Sequence, residues 1–205
     1  MKKLFLSSAF AHVASLFPAF AGEPHTGKTV TFIPTASIRE EVTFYVDADK
    51  KAFIDLGLIP DELEISTASN EEIFKKITNN DYIFVSGGNT FFLLQELRKT
   101  GTDKIIIEQV TLGKPYIGTS AGSVIMSPNI EYIKHLDDIK TAPELIDYSA
   151  LGLVDIYPVP HVSAPPFKES AEKIILEYGS GLKLYPITNE QVIIVRGNEI
   201  KVENT

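Results

Sequence analysis

Cysteine is absent from the 205-residue sequence. Its absence excludes disulfide bonds, thiolate catalysis and metal sites built on cysteine ligands. The chain has only four histidines, and none has the spacing of a metal-binding pair such as His-Glu-x-x-His. We therefore expect no metal and no other cofactor.

Clusters of positive charge are also missing. Nineteen basic residues stand against 27 acidic ones, a formal net charge of −8, and the basic residues are scattered. Nucleic acid and anionic membranes bind basic patches, so both are disfavoured as partners. No stretch reaches the roughly 18 apolar residues that a membrane-spanning helix needs. We expect a small substrate as the partner, and a monomer or a homodimer.

The N-terminal stretch MKKLFLSSAFAHVASLFPAFAGE has two interpretations. Two lysines, an apolar stretch and an Ala19-Phe20-Ala21 ending outline a secretory signal. However, serines, His12 and Pro18 interrupt the apolar stretch, so the segment also fits a buried strand, KLFLSS, followed by an amphipathic helical segment. We favour the strand, which predicts a cytoplasmic protein.

Short apolar runs alternate with longer helical patterns along the chain. This alternation predicts a single α/β domain over residues 1–205, with a mostly parallel central sheet and helices on both faces. Runs such as VTFIP and YIFVS are typical of strands covered on both faces. The predicted strands are 3–8, 28–36, 62–67, 81–88, 115–120, 154–161, 183–188 and a final hairpin turning at Gly197-Asn198. The predicted helices after the first segment are 38–57, 70–80 (with Asn70 as the cap), 89–101, 103–113 and 167–179.

The stretch Gly118-Thr119-Ser120-Ala121-Gly122 matches Gly-x-Ser-x-Gly between a strand and an apolar helix start. This context predicts a nucleophile elbow, a sharp turn that only small neighbours permit and that projects the hydroxyl of Ser120 above the sheet. A glycine-rich turn with a capping serine is the alternative, because such turns are common in α/β proteins.

A second glycine loop, Ser86-Gly87-Gly88-Asn89-Thr90, directly follows the strand DYIFV. Both loops are expected at the same edge of the parallel sheet. There the N–H groups of Gly88 and Ala121 would form an oxyanion hole. The simpler alternative is a tight turn into a helix.

His161 is the predicted base, because it follows the strand VDIYPVP at the edge where Ser120 and Gly88 are expected. For the orienting acid we favour Glu190, which follows another strand, with Asp137 and Asp138 as alternatives. An isolated histidine or acid at such positions can equally be a solvated or capping residue.

The motifs FVSGGNTFFLL, IGTSAGSVIMSP and YPVPH together resemble the aspartyl dipeptidase (peptidase E-like) family of serine peptidases, which also includes cyanophycinase. The resemblance covers essentially the whole chain. It implies a flavodoxin-like fold related to class I glutamine amidotransferases, and a Ser-His-acid triad that cleaves very short peptides through an acyl-enzyme. Carried over, Ser120 matches the nucleophile, His161 the base, and Gly88 with Ala121 the oxyanion donors. Glu190 falls near the family's acid.

The resemblance also implies a substrate site, for which Asp138, Asn89 and Lys168 are the candidates. Aspartyl dipeptidases carry an arginine early in the helix after the histidine, where it can pair with the aspartate of the substrate. Here the matching position is Ala171, and the nearest cations are Lys168 and Lys173. Lysine does not reproduce the two-pronged hydrogen bonding of arginine, so a preference for N-terminal aspartate would depend on one of these lysines.

We therefore predict a serine peptidase that hydrolyses dipeptides or very short peptides. A small-molecule binding protein without catalysis is the alternative from another class, with the glycine loops binding an anion. A small esterase would share the mechanism and differ in the leaving group.

Overall fold

The computed structural model of the protein describes residues 1–22 and 24–205. Nine strands are described, and seven of them form one sheet in the order β3-β2-β4-β5-β1-β8-β9, while β6 and β7 form a separate parallel pair. The strands are β1 (Lys3–Ser7), β2 (Thr29–Ile33), β3 (Ile59–Glu62), β4 (Tyr82–Val85), β5 (Tyr116–Thr119), β6 (Tyr157–Val159), β7 (Leu184–Pro186), β8 (Gln191–Arg196) and β9 (Glu199–Asn204).

The helices connect these strands and cover the sheet. They are α1 (Phe10–Val13), α2 (Phe17–Ala21), α3 (Phe44–Asp55), α4 (Asn70–Asn79), α5 (Thr90–Thr100), α6 (Thr102–Leu112), α7 (Ala121–Val124) and α8 (Lys168–Tyr178). Short 3₁₀ turns occupy Ala14–Leu16, Thr35–Ser37, Glu131–His135 and Ile139–Thr141.

The sheet confirms the predicted fold class. β3, β2, β4, β5 and β1 are mutually parallel, and β8 and β9 add an antiparallel edge. Parallel neighbours require crossover connections, and here the crossovers are helices on the two faces. The strand pair β4–β5 aligns Val85 with Gly118, so the two glycine loops leave the sheet side by side.

Each face of the sheet buries its own apolar cluster. One face is rich in phenylalanine, where Phe5, Phe10, Phe53 and Phe84 pack beneath α1, α2 and α3. Stacked and edge-to-face ring pairs order this face, such as Phe10 on Phe53 at 4.2 Å between centroids. The other face is aliphatic and packs beneath α4, α5 and α6. Burial on both faces explains why the strand sequences are continuously apolar.

Three sequence-based elements differ from the structure. The strand predicted at 62–67 lies earlier, at Ile59–Glu62, where its backbone pairs with β2 although its side chains are largely exposed. The helix predicted over 38–57 begins only at Phe44. The strand predicted at 154–161 is reduced to Tyr157–Val159 and pairs with β7 outside the main sheet. In α4 the cap is Ser69, whose hydroxyl accepts the N–H of Glu72, and not Asn70.

The N-terminal segment forms β1, between β5 and β8 in the sheet, as predicted for the strand interpretation. Within the described residues, no helix has both the length and the apolar character needed to cross a membrane.

Candidate active site

Ser120 lies at the turn from β5 into α7, with φ of 48° and ψ of −111°. A residue with a β-carbon rarely adopts a positive φ, and such strain is typical of nucleophile elbows. The flanking glycines are sterically required. A β-carbon at Gly118 would lie 2.5 Å from the carbonyl oxygen of Gly122, and one at Gly122 would lie 2.1 Å from that of Val85. The motif therefore forms the predicted elbow.

His161 follows the end of β6 and also has a positive φ, 61°. Its Nε2 lies 3.0 Å from Ser120 Oγ, which is hydrogen-bond distance. The ring of Phe167 stacks on the imidazole, with centroids 4.8 Å apart and planes 29° from parallel. The structure thus brings together the two residues predicted as nucleophile and base, in the geometry that activates a serine hydroxyl.

The third member of this chain of hydrogen bonds is an amide. His161 Nδ1 lies 2.8 Å from Asn189 Oδ1. An amide oxygen only accepts, so Nδ1 carries the proton and Nε2 presents its lone pair to Ser120. Glu190, the acid predicted from sequence, is the next residue along the chain and is not hydrogen bonded to the imidazole within the described residues. Its side chain is 60% exposed, and its Oε1 lies 3.7 Å from His12 Nδ1 instead.

The two alternative acids bond elsewhere. Asp137 Oδ2 accepts the N–H of Thr90 at 2.8 Å, and Asp138 Oδ1 accepts that of Lys140 at 2.9 Å. Among the described residues, neither carboxylate is hydrogen bonded to the imidazole of His161. Burial raises the pKa of Asp137 to about 6. Asp137 is therefore a half-buried carboxyl at the start of α5, which follows the Gly88 loop.

The predicted oxyanion hole has free donors. Within residues 1–22 and 24–205, the N–H groups of Gly88 and Ala121 donate to no protein acceptor, whereas the N–H of Asn89, the residue after Gly88, donates to Ala36 O at 2.9 Å. Gly88 has φ of 132°, and a β-carbon there would lie 2.2 Å from the carbonyl oxygen of Ala36. The loop thus has glycine at a position where a side chain cannot fit, and the N–H of Gly88 remains available as a donor.

Two of the residues predicted to bind substrate, Asn89 and Lys168, already contact other protein groups. Asn89 is 3% exposed and caps α5, since its Oδ1 accepts the N–H of Phe92 while its Nδ2 donates to Asp138 O and to Thr141 Oγ1. Lys168 begins α8 directly after the ring that stacks on the imidazole. Its Nζ lies 4.0 Å from Glu172 Oε1, with both side chains more than half exposed.

Ala171, at the position where the dipeptidases carry arginine, is fully buried in an apolar cluster beneath α8. A cation at this position would lie among aliphatic and aromatic side chains. Ala171 therefore supplies no two-pronged cation for a substrate aspartate at this position.

Tyr45, on α3, borders the nucleophile and was not predicted. Its Cε2 lies 3.7 Å, and Ser120 Cβ 3.1 Å, from the point where a β-carbon of Gly87 would be. The hydroxyl oxygen of Tyr45 is buried and has no hydrogen-bond partner within the described part of the chain. Burial, followed by the charges of nearby carboxylates beginning with Glu40, raises the pKa of this phenol well above its ordinary range. Tyr45 is therefore an uncharged phenol whose ring lies close to Gly87 and Ser120.

Burial also affects the candidate base, His161. It lowers the pKa of the imidazole below the ordinary 6.5, and the hydrogen bond to Asn189 opposes this decrease only in part. The imidazole is therefore neutral, and able to accept a proton, at neutral pH.

No metal site accompanies these residues: in the described ranges, no three histidine, aspartate or glutamate side chains are grouped so that they could hold an ion.

Comparison with known proteins identifies the family of the chain. Residues 4–203 match the model of peptidase family S51. An uncharacterised peptidase of Listeria monocytogenes is 54% identical over 200 residues, covering 98% of this chain and 97% of its own. An uncharacterised peptidase of Pasteurella multocida is 54% identical over 202 residues, with the same coverage of the two chains. Peptidase E of a Nostoc species is 34% identical over 65% of this chain and 52% of its own.

A solved structure shows the same fold. The crystal structure of a proposed peptidase E protein from Listeria monocytogenes superposes with a TM-score of 0.96 at 53% identity, covering 100% of this chain and 99% of the other. A peptidase from an acI-B1 actinobacterium shares the fold at 22% identity, with a TM-score of 0.74, over 100% of this chain and 88% of its own.

Proposed function

Because the chain belongs to peptidase family S51 and is a serine-type peptidase, we propose that it hydrolyses dipeptides or other very short peptides through Ser120, His161 and Asn189. The observation that carries this proposal is the unbroken hydrogen-bonded chain from Ser120 Oγ to His161 Nε2 and from His161 Nδ1 to Asn189 Oδ1, at 3.0 and 2.8 Å. The same arrangement of nucleophile, imidazole and amide is known among cysteine peptidases.

In the first half of the proposed reaction, Ser120 Oγ attacks the carbonyl carbon of the scissile bond while His161 Nε2 takes the hydroxyl proton. The oxyanion that forms accepts hydrogen bonds from the N–H groups of Gly88 and Ala121. His161 then gives the proton to the leaving amine, the C–N bond breaks, and an acyl-enzyme remains on Ser120.

In the second half, water attacks the acyl carbon and His161 takes one of its protons. The tetrahedral intermediate collapses, the proton passes to Ser120 Oγ, and the free acid leaves. Asn189 keeps Nδ1–H oriented throughout. Because an amide carries no charge, it stabilises the transient imidazolium less than a carboxylate would. We therefore propose a slower enzyme than one with a carboxylate at this position.

The substrate preference is part of the same proposal. Lys168 is the candidate for pairing with an N-terminal aspartate, but its charge already faces Glu172, and Ala171 is buried. An exposed ion pair between Lys168 and a substrate aspartate would contribute little to binding. We propose activity on short peptides in general, with at most a weak preference for aspartate.

We further propose that residues 1–205 act as one unit in the cytoplasm. β1 pairs with both β5 and β8. Cleavage of a signal after Ala21 would remove this strand from the sheet, which argues against a signal cleaved at that position.

The test is hydrolysis of a dipeptide panel, with Asp-X, Glu-X and neutral X-X′ members, by wild type and Ser120→Ala. We expect cleavage by the wild type, loss of at least about 10³-fold in the variant, and rates for Asp-X within about tenfold of the neutral members. Stoichiometric labelling of Ser120 by a small activated ester gives a second readout. If the wild type neither cleaves the panel nor becomes acylated, the binding-protein alternative replaces the proposal. If it is acylated and cleaves esters alone, the esterase alternative replaces it.

A further inference from the structure

The end of β1 lies directly beneath the candidate active site. Ser7 and Ser8 are buried, at 0% and 2% exposure. The carbonyl of Ser7 accepts the N–H of Ser120 at 2.9 Å. The carbonyl of Ser8 accepts the hydroxyl of Thr119 at 3.0 Å. Ser7, the last residue of β1, therefore holds the backbone of the nucleophile elbow, and Ser8, which follows it, holds the side chain of Thr119.

The hydroxyl of Ser8 holds the other two segments of the site. Ser8 Oγ accepts the N–H of His161 at 3.0 Å and donates to the carbonyl of Ile187 at 3.1 Å. The same carbonyl of Ile187 accepts the N–H of Val162 at 3.1 Å. Ile187 is two residues before Asn189, so one hydroxyl joins the segment that carries the imidazole to the segment that orients it.

His161 needs such a contact because its backbone is strained. Residues with a β-carbon disfavour the left-handed region, and His161 has φ of 61°. Surrounding contacts must maintain a conformation of this kind. Without Ser8 Oγ, the N–H of His161 would lose its acceptor. The chain could then relax toward a negative φ, which would swing the ring away from Ser120.

We propose that Ser8 is a positioning residue of the peptidase. Its hydroxyl holds His161 in the left-handed conformation that places Nε2 at 3.0 Å from Ser120 Oγ. The effect on rate rests on the proposed function, while the effect on the imidazole does not. Within the described residues, the hydroxyl of Ser8 is not hydrogen bonded to the side chain of Ser120 or of His161.

The test compares Ser8→Ala with a matched control, Thr31→Val. Thr31 is also fully buried, and its hydroxyl also has both roles: it donates to Lys76 O at 2.8 Å and accepts from Asn80 Nδ2 at 3.0 Å. Thr31 lies in β2, near the C-terminal end of α4 and away from Ser120. Each variant removes one bridging hydroxyl, so the two should lower the melting temperature by similar amounts.

We expect only Ser8→Ala to slow the chemistry. The rate of Ser120 labelling by a fluorophosphonate, and kcat on the best dipeptide, should fall about tenfold to a hundredfold in Ser8→Ala, with KM within about threefold. Thr31→Val should remain within about twofold of wild type, and Ser8→Thr, which keeps the hydroxyl, should recover most of the rate. Ser8→Ala labelled at the rate of Thr31→Val would overturn the proposal.

A second readout does not depend on turnover. The proton on His161 Nδ1, hydrogen bonded to Asn189, should give a downfield NMR resonance in wild type and Thr31→Val that shifts or broadens in Ser8→Ala. If wild type is not labelled by the fluorophosphonate, the proposed function fails. Whether or not the enzyme is labelled, an imidazole resonance that is unchanged in Ser8→Ala would refute the role of Ser8.

Discussion

The nucleophile elbow and the turn at 188–190 supply the two ends of one hydrogen-bonded chain, but they are constrained in different ways. In the elbow, Gly118 and Gly122 face backbone carbonyl oxygens at distances that leave no space for a side chain. In the turn, Asn189 and Glu190 both carry side chains with acceptor oxygens, and both reach solvent. The elbow permits one arrangement, while the turn offers two acceptors in adjacent positions.

The difference shows which constraints are visible in a sequence. Exclusion by backbone atoms restricts composition, so the elbow appears as Gly-x-Ser-x-Gly. A choice between two neighbouring acceptors depends on the direction in which the chain leaves β7. That direction is set by Ile187, whose N–H donates to Val159 O and whose carbonyl accepts from Val162 N–H. These contacts come from residues distant in sequence.

Breaking the elbow should have the largest effect. In Gly122→Ala the new β-carbon would meet Val85 O at 2.1 Å, so the turn must shift together with the N–H of Ala121. We expect kcat/KM to fall by about 10³-fold or more, with a lower melting temperature. The matched control is Gly181→Ala, where a β-carbon has nothing within 4 Å. Near-normal activity of a folded Gly122→Ala would show that the elbow is not sterically constrained.

Breaking the turn should have a smaller effect. Asn189→Ala removes the acceptor at 2.8 Å that fixes the tautomer and the orientation of His161. We expect kcat to fall about tenfold to a hundredfold, with KM little changed. This loss is smaller than the roughly 10⁴-fold typical of a charged triad member, because the amide contributes orientation without charge. The steady-state kinetics of the purified variant would measure this, and a loss below twofold would remove Asn189 from the mechanism.

The next prediction concerns Tyr45, whose ring lies close to Gly87 and Ser120 in the two glycine loops. Its hydroxyl is buried without a protein partner in the described structure, so Tyr45→Phe should stabilise the free enzyme by about 1 kcal/mol, since the penalty for an unpaired polar group disappears. If a polar group of the substrate pairs with the hydroxyl, KM should rise about threefold to tenfold.

The control for Tyr45→Phe is Tyr132→Phe, since that hydroxyl donates to Pro158 O at 2.6 Å and its removal should destabilise the protein. Thermal melts of the two variants measure whether each substitution stabilises or destabilises the protein. A destabilised Tyr45→Phe would mean that the hydroxyl has a partner in the free enzyme.

The pH dependence of the rate tests the charge state of His161. Neutral His161 is the active form, so kcat/KM rises with pH through its pKa, and burial places this acidic limb below pH 6.5 in the wild type. Asn189→Asp would put a carboxylate at Nδ1–H, favour the imidazolium, and move the limb to higher pH. Rate profiles from pH 4 to 9 would show the shift. A wild-type limb above 6.5 would contradict the buried, neutral base.

Glu190 should have the smallest effect. Its side chain is 60% exposed and faces His12, so Glu190→Gln should leave kcat/KM within about twofold of wild type at neutral pH. Measured beside Asn189→Ala, this variant decides which of two adjacent residues orients the imidazole. A loss for Glu190→Gln equal to that of Asn189→Ala would restore the glutamate.

The glycine loops, the fold class and the pairing of Ser120 with His161 could be predicted from sequence. The place of His161 was reached through partly wrong reasoning, since its strand lies outside the main sheet and the histidine approaches from the β6–β7 pair. Asn189, Tyr45 and Phe167 were missed. An amide, a phenol and an aromatic ring are common in turns and on helices, and nothing in their local sequence sets these three apart.

By itself, the sequence determined what depends on local sterics and periodicity: buried strands from continuous apolar runs, helix ends from glycine, and an elbow from two glycines around Ser120. The tertiary structure decided which polar groups meet, because hydrogen bonds require atoms within about 3 Å. Such distances are set by packing between distant segments. One hydroxyl joins Ser8 to His161 and Ile187, although these residues lie 153 and 179 positions further along the chain. For that reason the imidazole of His161 is hydrogen bonded to Asn189, one position from the residue that the sequence favoured.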